Sequence, residues 1–176
     1  LADFIDGGRV KVFCVGSNNN ESFMNRNAHP SHRSWRQRMF DEYIRDEVMP
    51  FVHAQCQTPG IPITTFGASL GAYHAVNTLL RYPNLIKRCY AFSGVYDLRR
   101  FMNGLYDDNF YFHNPIDYAA NLNDPWFHQQ LATCLVRRVV PEEDVVVRAG
   151  RAVHPAHDVH ADALGRLVEL DGVAPR

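Results

Sequence analysis

The chain predicts an α/β fold: a mostly parallel sheet with helices on both faces. Three observations predict it. Runs of strand length at 61–66 and 86–92 flank a stretch of helical periodicity at 69–82. The run at 61–66 is compact and apolar, as suits a buried parallel strand. Ahead of them lie another β-rich run and a longer amphipathic segment, so strand, helix, strand, helix, strand follow in order. That order calls for right-handed βαβ crossovers and a parallel sheet.

Taken along the chain, Arg9-Val10-Lys11-Val12-Phe13-Cys14-Val15-Gly16 follows a Gly-Gly turn and reads as a strand. Polar Ser17-Asn18-Asn19-Asn20-Glu21-Ser22 reads as a loop. From 31 to 55, Trp35, Met39, Tyr43, Ile44, Val48, Phe51 and Val52 recur at three- and four-residue steps, which predicts an amphipathic helix. Arg33, Arg36, Asp41, Arg45 and Asp46 are expected on its solvent side, and Pro50 is expected to bend or locally end it. Thr58-Pro59-Gly60 is a turn. On the helix at 69–82, Leu70, Tyr73, Val76, Leu79 and Leu80 share a face, and Pro83-Asn84 stops it. The aromatic, Asn- and Asp-rich stretch 96–123 reads as a long loop, the kind that usually packs over a site. Asp124-Pro125-Trp126 then opens a short helix with an N-cap followed by proline.

After Leu131 the alphabet narrows: no aromatic residue, Lys, Asn, Ser, Ile, Met or Gln occurs in 132–176. That is the composition a GC-rich gene gives when read in a shifted frame, so an atypical tail is expected within one domain spanning 1–176. Asp144-Val145-Val146-Val147 still reads as a strand and 161–170 as a helix.

At 176 residues, with 46% hydrophobic and 21% charged residues, one core is expected. A net charge of -1 gives no sign of nucleic acid or an anionic membrane as partner. No apolar run approaches the roughly 20 residues of a membrane span. Cys14, Cys56, Cys89 and Cys134 form no CxxC pair; they read as small core residues, with Cys14 and Cys89 inside buried strands. Compartment and oligomeric state are left open.

Between the strand at 61–66 and the helix after it stands Gly67-Ala68-Ser69-Leu70-Gly71, a G-x-S-x-G pentapeptide. Such a serine sits on a sharp strand-to-helix turn that aims its hydroxyl at solvent, with small residues two positions either side where the backbones approach. Ser69 is therefore the candidate nucleophile, and the Leu70 N–H at the helix start is a candidate oxyanion donor.

The surrounding residues resemble the putative-esterase family, the α/β-hydrolase branch holding S-formylglutathione hydrolase (esterase D) and the mycolyltransferases. Thr65-Phe66-Gly67-Ala68-Ser69-Leu70-Gly71-Ala72-Tyr73-His74-Ala75 resembles its elbow. Arg81-Tyr82-Pro83 and Ala91-Phe92-Ser93-Gly94-Val95-Tyr96-Asp97 resemble its return strand, and Tyr106-Asp107-Asp108-Asn109 with Asn114-Pro115 the loop beyond. The resemblance runs from Leu1 to about Leu131. It implies an α/β-hydrolase fold, no cofactor, and acyl transfer from a small-molecule ester or thioester to water, or to another hydroxyl in the transferases. In that scheme a His takes the serine proton, an acid orients the His, and backbone N–H groups hold the oxyanion.

Set against that pattern, the chain is expected to be incomplete at the N-terminus, where a Gly-rich oxyanion loop belongs, and at the C-terminus. Triad order in this fold is Ser, acid, His. Asp158, after the strand-like 145–150 and before Arg166-Leu167, is the preferred acid; Asp144, Asp162 and a plain surface role for Asp158 stay open. Of His154, His157 and His160, only His160 follows Asp158, and two residues leave no room for a final strand. Each reads as a surface or helix-start histidine, so the base is unassigned. The spacing His154-Pro155-Ala156-His157-Asp158-Val159-His160 matches no zinc signature, and no metal is expected. His29, His32, His53, His74, His113 and His128 are expected in packing or surface roles.

Overall fold

A computed structural model of the chain describes residues 2–58 and 60–139. After a short helix α1 (Ala2–Asp6), residues 10–18 form no regular element. The strand expected at 9–16 is therefore absent, and Cys14, expected inside it, is exposed. The β-rich run finds no ladder to join: Val10, Val12 and Val15 lie open to solvent. What anchors it is side-chain contact with the following helix. Lys11 Nζ donates to Gln55 O at 2.7 Å, and the Phe13 ring meets Phe51 edge-on.

The long helix expected at 31–55 is three pieces: α2 (Pro30–Tyr43), a π turn (Ile44–Val48) and α3 (Met49–Cys56). Pro50 neither ends nor breaks it. Proline lacks the N–H that would bond four residues back, and its ring crowds that carbonyl. A π turn widens the ladder just before it, with Met49 N–H reaching Ile44 O, and the chain stays helical to Gln57, which caps it at φ 51°.

The expected polarity of α2 is partly inverted. Arg33, Ser34, Gln37 and Asp41 are buried, whereas Trp35 and Tyr43 are exposed. Periodicity placed a stripe on the helix but could not tell which face has partners. Arg33 is held entirely by carbonyls: Nε to Ala28 O (2.9 Å), Nη1 to Phe101 O (2.6 Å) and Nη2 to Arg26 O (3.0 Å). Asp41 Oδ2 accepts from Arg81 Nε and from the Tyr82 hydroxyl, both at 2.6 Å, and lies 3.6 Å from His113 Nε2. Burial pushes the Asp41 carboxyl up, but His113, Arg81 and Tyr82 together more than offset it and hold the group below its ordinary range.

Three parallel strands follow, β1 (Ile63–Ala68), β2 (Ile86–Phe92) and β3 (Leu135–Val139), in spatial order β1-β2-β3. The α/β class is thus as expected, although β3 was not foreseen. Between β1 and β2 runs α4 (Leu70–Arg81), packed on both strands. Its Ala72, Ala75, Val76 and Leu79 form the main core with Ile86, Cys89 and Ala91 of β2 and with Ile44, Val48, Met49 and Val52. The opposite sheet face shows Phe66, Tyr90 and Phe92 to solvent among the described residues.

The loop expected at 96–123 folds into short turns, among them α5 (Asp108–Tyr111) and α6 (Pro115–Tyr118). It brings Leu98, Met102 and Phe110 against Phe23 and Tyr73, a second apolar cluster beside the start of α4. Next, α7 (Pro125–Leu131) begins as expected, with the Asp124 carboxylate accepting from Trp126 N at 2.8 Å. Among the described residues no helix is long and apolar enough to cross a membrane.

Candidate functional site

The site is the turn where β1 hands over to α4. Ser69 has φ 54° and ψ -119°, a conformation that an L-residue adopts only when its surroundings force it, and it is exposed. The forcing is visible at Gly67. A Cβ there would sit 2.3 Å from both the carbonyl carbon and oxygen of Gly71, so strand and helix backbones touch. At Gly71 the outcome differs from expectation. A Cβ would meet nothing within 4 Å, so only the first of the two glycines is sterically required.

Backbone hydrogen bonds define what the turn offers. Ser69 N–H is taken by Phe92 O at 2.9 Å, tying the turn to the end of β2. Ser69 O accepts from Ala72 N and Tyr73 N, and the Ser69 side chain does not cap the helix. Among the described residues the Leu70 and Gly71 N–H groups have no acceptor. Two orphan donors at the positive end of a helix of 12 residues, beside an exposed hydroxyl, form an anion-stabilising corner.

Neighbouring loops are pinned to α4. His74 Nε2 donates to Asn19 Oδ1 at 2.8 Å, and its ring meets Phe40 edge-on and lies tilted against Tyr73. Burial, with His113 also contributing and Asp41 opposing, pushes the His74 imidazole down to about 4, so it stays neutral and structural, as expected for a histidine on this helix. Tyr73 donates to His113 O at 2.8 Å, and burial raises its phenol far above the usual range. The Asp41–Arg81–Tyr82 network was missed from sequence; the only available signal was that Asp41 and Gln37 lie one turn apart on one face.

A family model described as Putative esterase matches residues 3–159. The chain belongs to that family. The match runs past Leu131, further than the motifs recognised in the sequence. No curated protein and no solved structure matches the chain. Membership makes the protein a hydrolase of esterase type in general, on an α/β fold. Asp158, the alternatives Asp144 and Asp162, and His154, His157 and His160 lie outside the described residues. Among the described residues no cluster of His, Cys, Asp or Glu could hold a metal ion.

Proposed function

We propose that this esterase-family protein is a serine hydrolase that cleaves carboxylic esters or thioesters of small molecules through an acyl-enzyme on Ser69. The observation that carries it is the Ser69 backbone, φ 54° at a strand–helix contact, next to the unengaged Leu70 N–H. The Ser69 oxygen attacks the acyl carbon while its proton passes to a histidine base. The carbonyl oxygen, now negative, is met by the Leu70 N–H. Collapse expels the alcohol or thiol, which leaves with the proton, and water then releases the acid. Asp158 is the proposed orienting acid. The histidine that serves as base is unassigned, and no cofactor takes part.

A second reading has one observation in its favour: among the described residues no histidine is hydrogen-bonded to Ser69. On that reading the protein binds acyl compounds without turning them over. Transfer to a hydroxyl other than water is a third outcome, read by acceptor assays. Labelling with a fluorophosphonate separates the first two. Covalent labelling lost in Ser69→Ala supports the acyl-enzyme; folded protein that resists labelling refutes it.

A further inference from the structure

The parallel ladder between β1 and β2 keeps one register from Thr64↔Arg88 to Ala68↔Phe92. The bond from Ser69 N to Phe92 O is the next rung, and it pairs Ser69 with Ser93. Two serines therefore stand side by side at the carboxyl ends of adjacent strands, at a backbone spacing of about 4.8 Å. Ser93 shares two further features with Ser69. It is exposed, and it is held at φ 47°, in the left-handed region that favours glycine. The glycine stands one position later. Gly94 lets the Tyr96 ring fold back on the chain, since a Cβ there would lie 2.2 Å from the Tyr96 hydroxyl oxygen. The turn thus has a glycine for its close approach, yet keeps a hydroxyl at the strained position. Among the described residues no hydrogen bond is recorded for either serine hydroxyl.

We propose that Ser93 is a substrate-contacting residue, its hydroxyl donating to an oxygen of the ester bound at Ser69. This rests on the reading of Ser69 as nucleophile. An ester group spans the gap between neighbouring strand ends, so one substrate can touch both hydroxyls. The donor does not form or break a bond; it fixes the acyl group against the Leu70 N–H. A hydroxyl needed only to build the turn would instead be dispensable wherever glycine replaces it, because glycine adopts a positive φ without strain.

The test compares fluorophosphonate labelling rates and melting temperatures of the wild-type chain, Ser93→Gly, Ser93→Ala and Ser69→Ala. Expected is a roughly ten-fold slower labelling of both Ser93 variants. Ser93→Gly should meanwhile melt at or above the wild-type temperature, showing that the loss is not one of folding. Equal labelling of Ser93→Gly and wild type overturns the Ser93 proposal and leaves Ser69 standing. Absence of labelling in folded wild type overturns both, and labelling that survives in Ser69→Ala places the reactive group elsewhere and does the same.

Discussion

Gly67→Ala tests the elbow most directly. The added methyl would lie 2.3 Å from the Gly71 carbonyl carbon and oxygen and 2.9 Å from Ala72 N, against the 3.4 Å at which ordinary contact begins. All three are backbone atoms, so no side chain can swing away. The strand and helix must part by about 1 Å. Overpacking of this kind costs about 1–3 kcal/mol, or a melting temperature lower by about 3–10 °C in a domain of this size. A displacement of about 1 Å at a reacting group costs on the order of a hundred-fold in rate. Fluorophosphonate labelling should therefore slow far more than the stability loss alone explains. Gly71→Ala is the control. Its methyl enters open space, and alanine in the first turn of α4 is favoured by up to about 1 kcal/mol, so it should melt no lower than wild type. If Gly67→Ala melts and labels like Gly71→Ala, the close strand–helix approach is not what holds Ser69.

Two further outcomes follow from buried groups. Asp41→Asn removes the charge that Arg81 pairs with inside the protein and should cost about 3 kcal/mol, lowering the melting temperature by roughly 6–12 °C. Because the folded Asp41 carboxyl is held below its ordinary value of 3.8, its stabilisation is present above that pH and is lost as pH falls through the folded value. Wild type should accordingly lose more stability than the variant between about pH 5 and pH 2, and parallel acid profiles would contradict the pairing. Among the cysteines, iodoacetamide should modify exposed Cys14 first. Cys89 should resist until denaturation, since burial pushes its thiol up to about 11; peptide mapping showing equal rates would refute the burial.

What the sequence made legible is what local chemistry dictates. Ile86–Phe92 stands as read, because a short run with Ile86, Cys89 and Ala91 to bury after the Pro83-Asn84 stop has few alternatives to a strand. The opening of α7 was legible because an Asp-Pro pair satisfies and removes helix-end donors within three residues. What failed needed tertiary partners. The run at 9–16 has strand propensity, but propensity does not supply a neighbouring ladder, and Leu135–Val139, with Arg137 and Arg138 in it, forms β3 because β2 has a free edge to offer. Arg33 and Asp41 looked like solvent-face charges because the carbonyls and the guanidinium that hold them come from residues up to 68 positions away.

The site shows the same division. Ser69 was legible from five residues because its strain is local, set by Gly67 against Gly71. Ser93 lies in the Ala91–Asp97 motif, but its position beside Ser69 is a fact about strand register rather than spacing. A strand pairing turns a separation of 24 residues into one of about 4.8 Å. Registers are set by burial of one face, here Cys89 and Ala91 under α4, and not by the residues at the strand ends. The core that packs against α4 thus determines which residue beyond β2 stands beside Ser69 at the elbow. Substitutions at Cys89 or Ala91 that shift the register should disturb the Ser69–Ser93 pair before they disturb Ser69 itself.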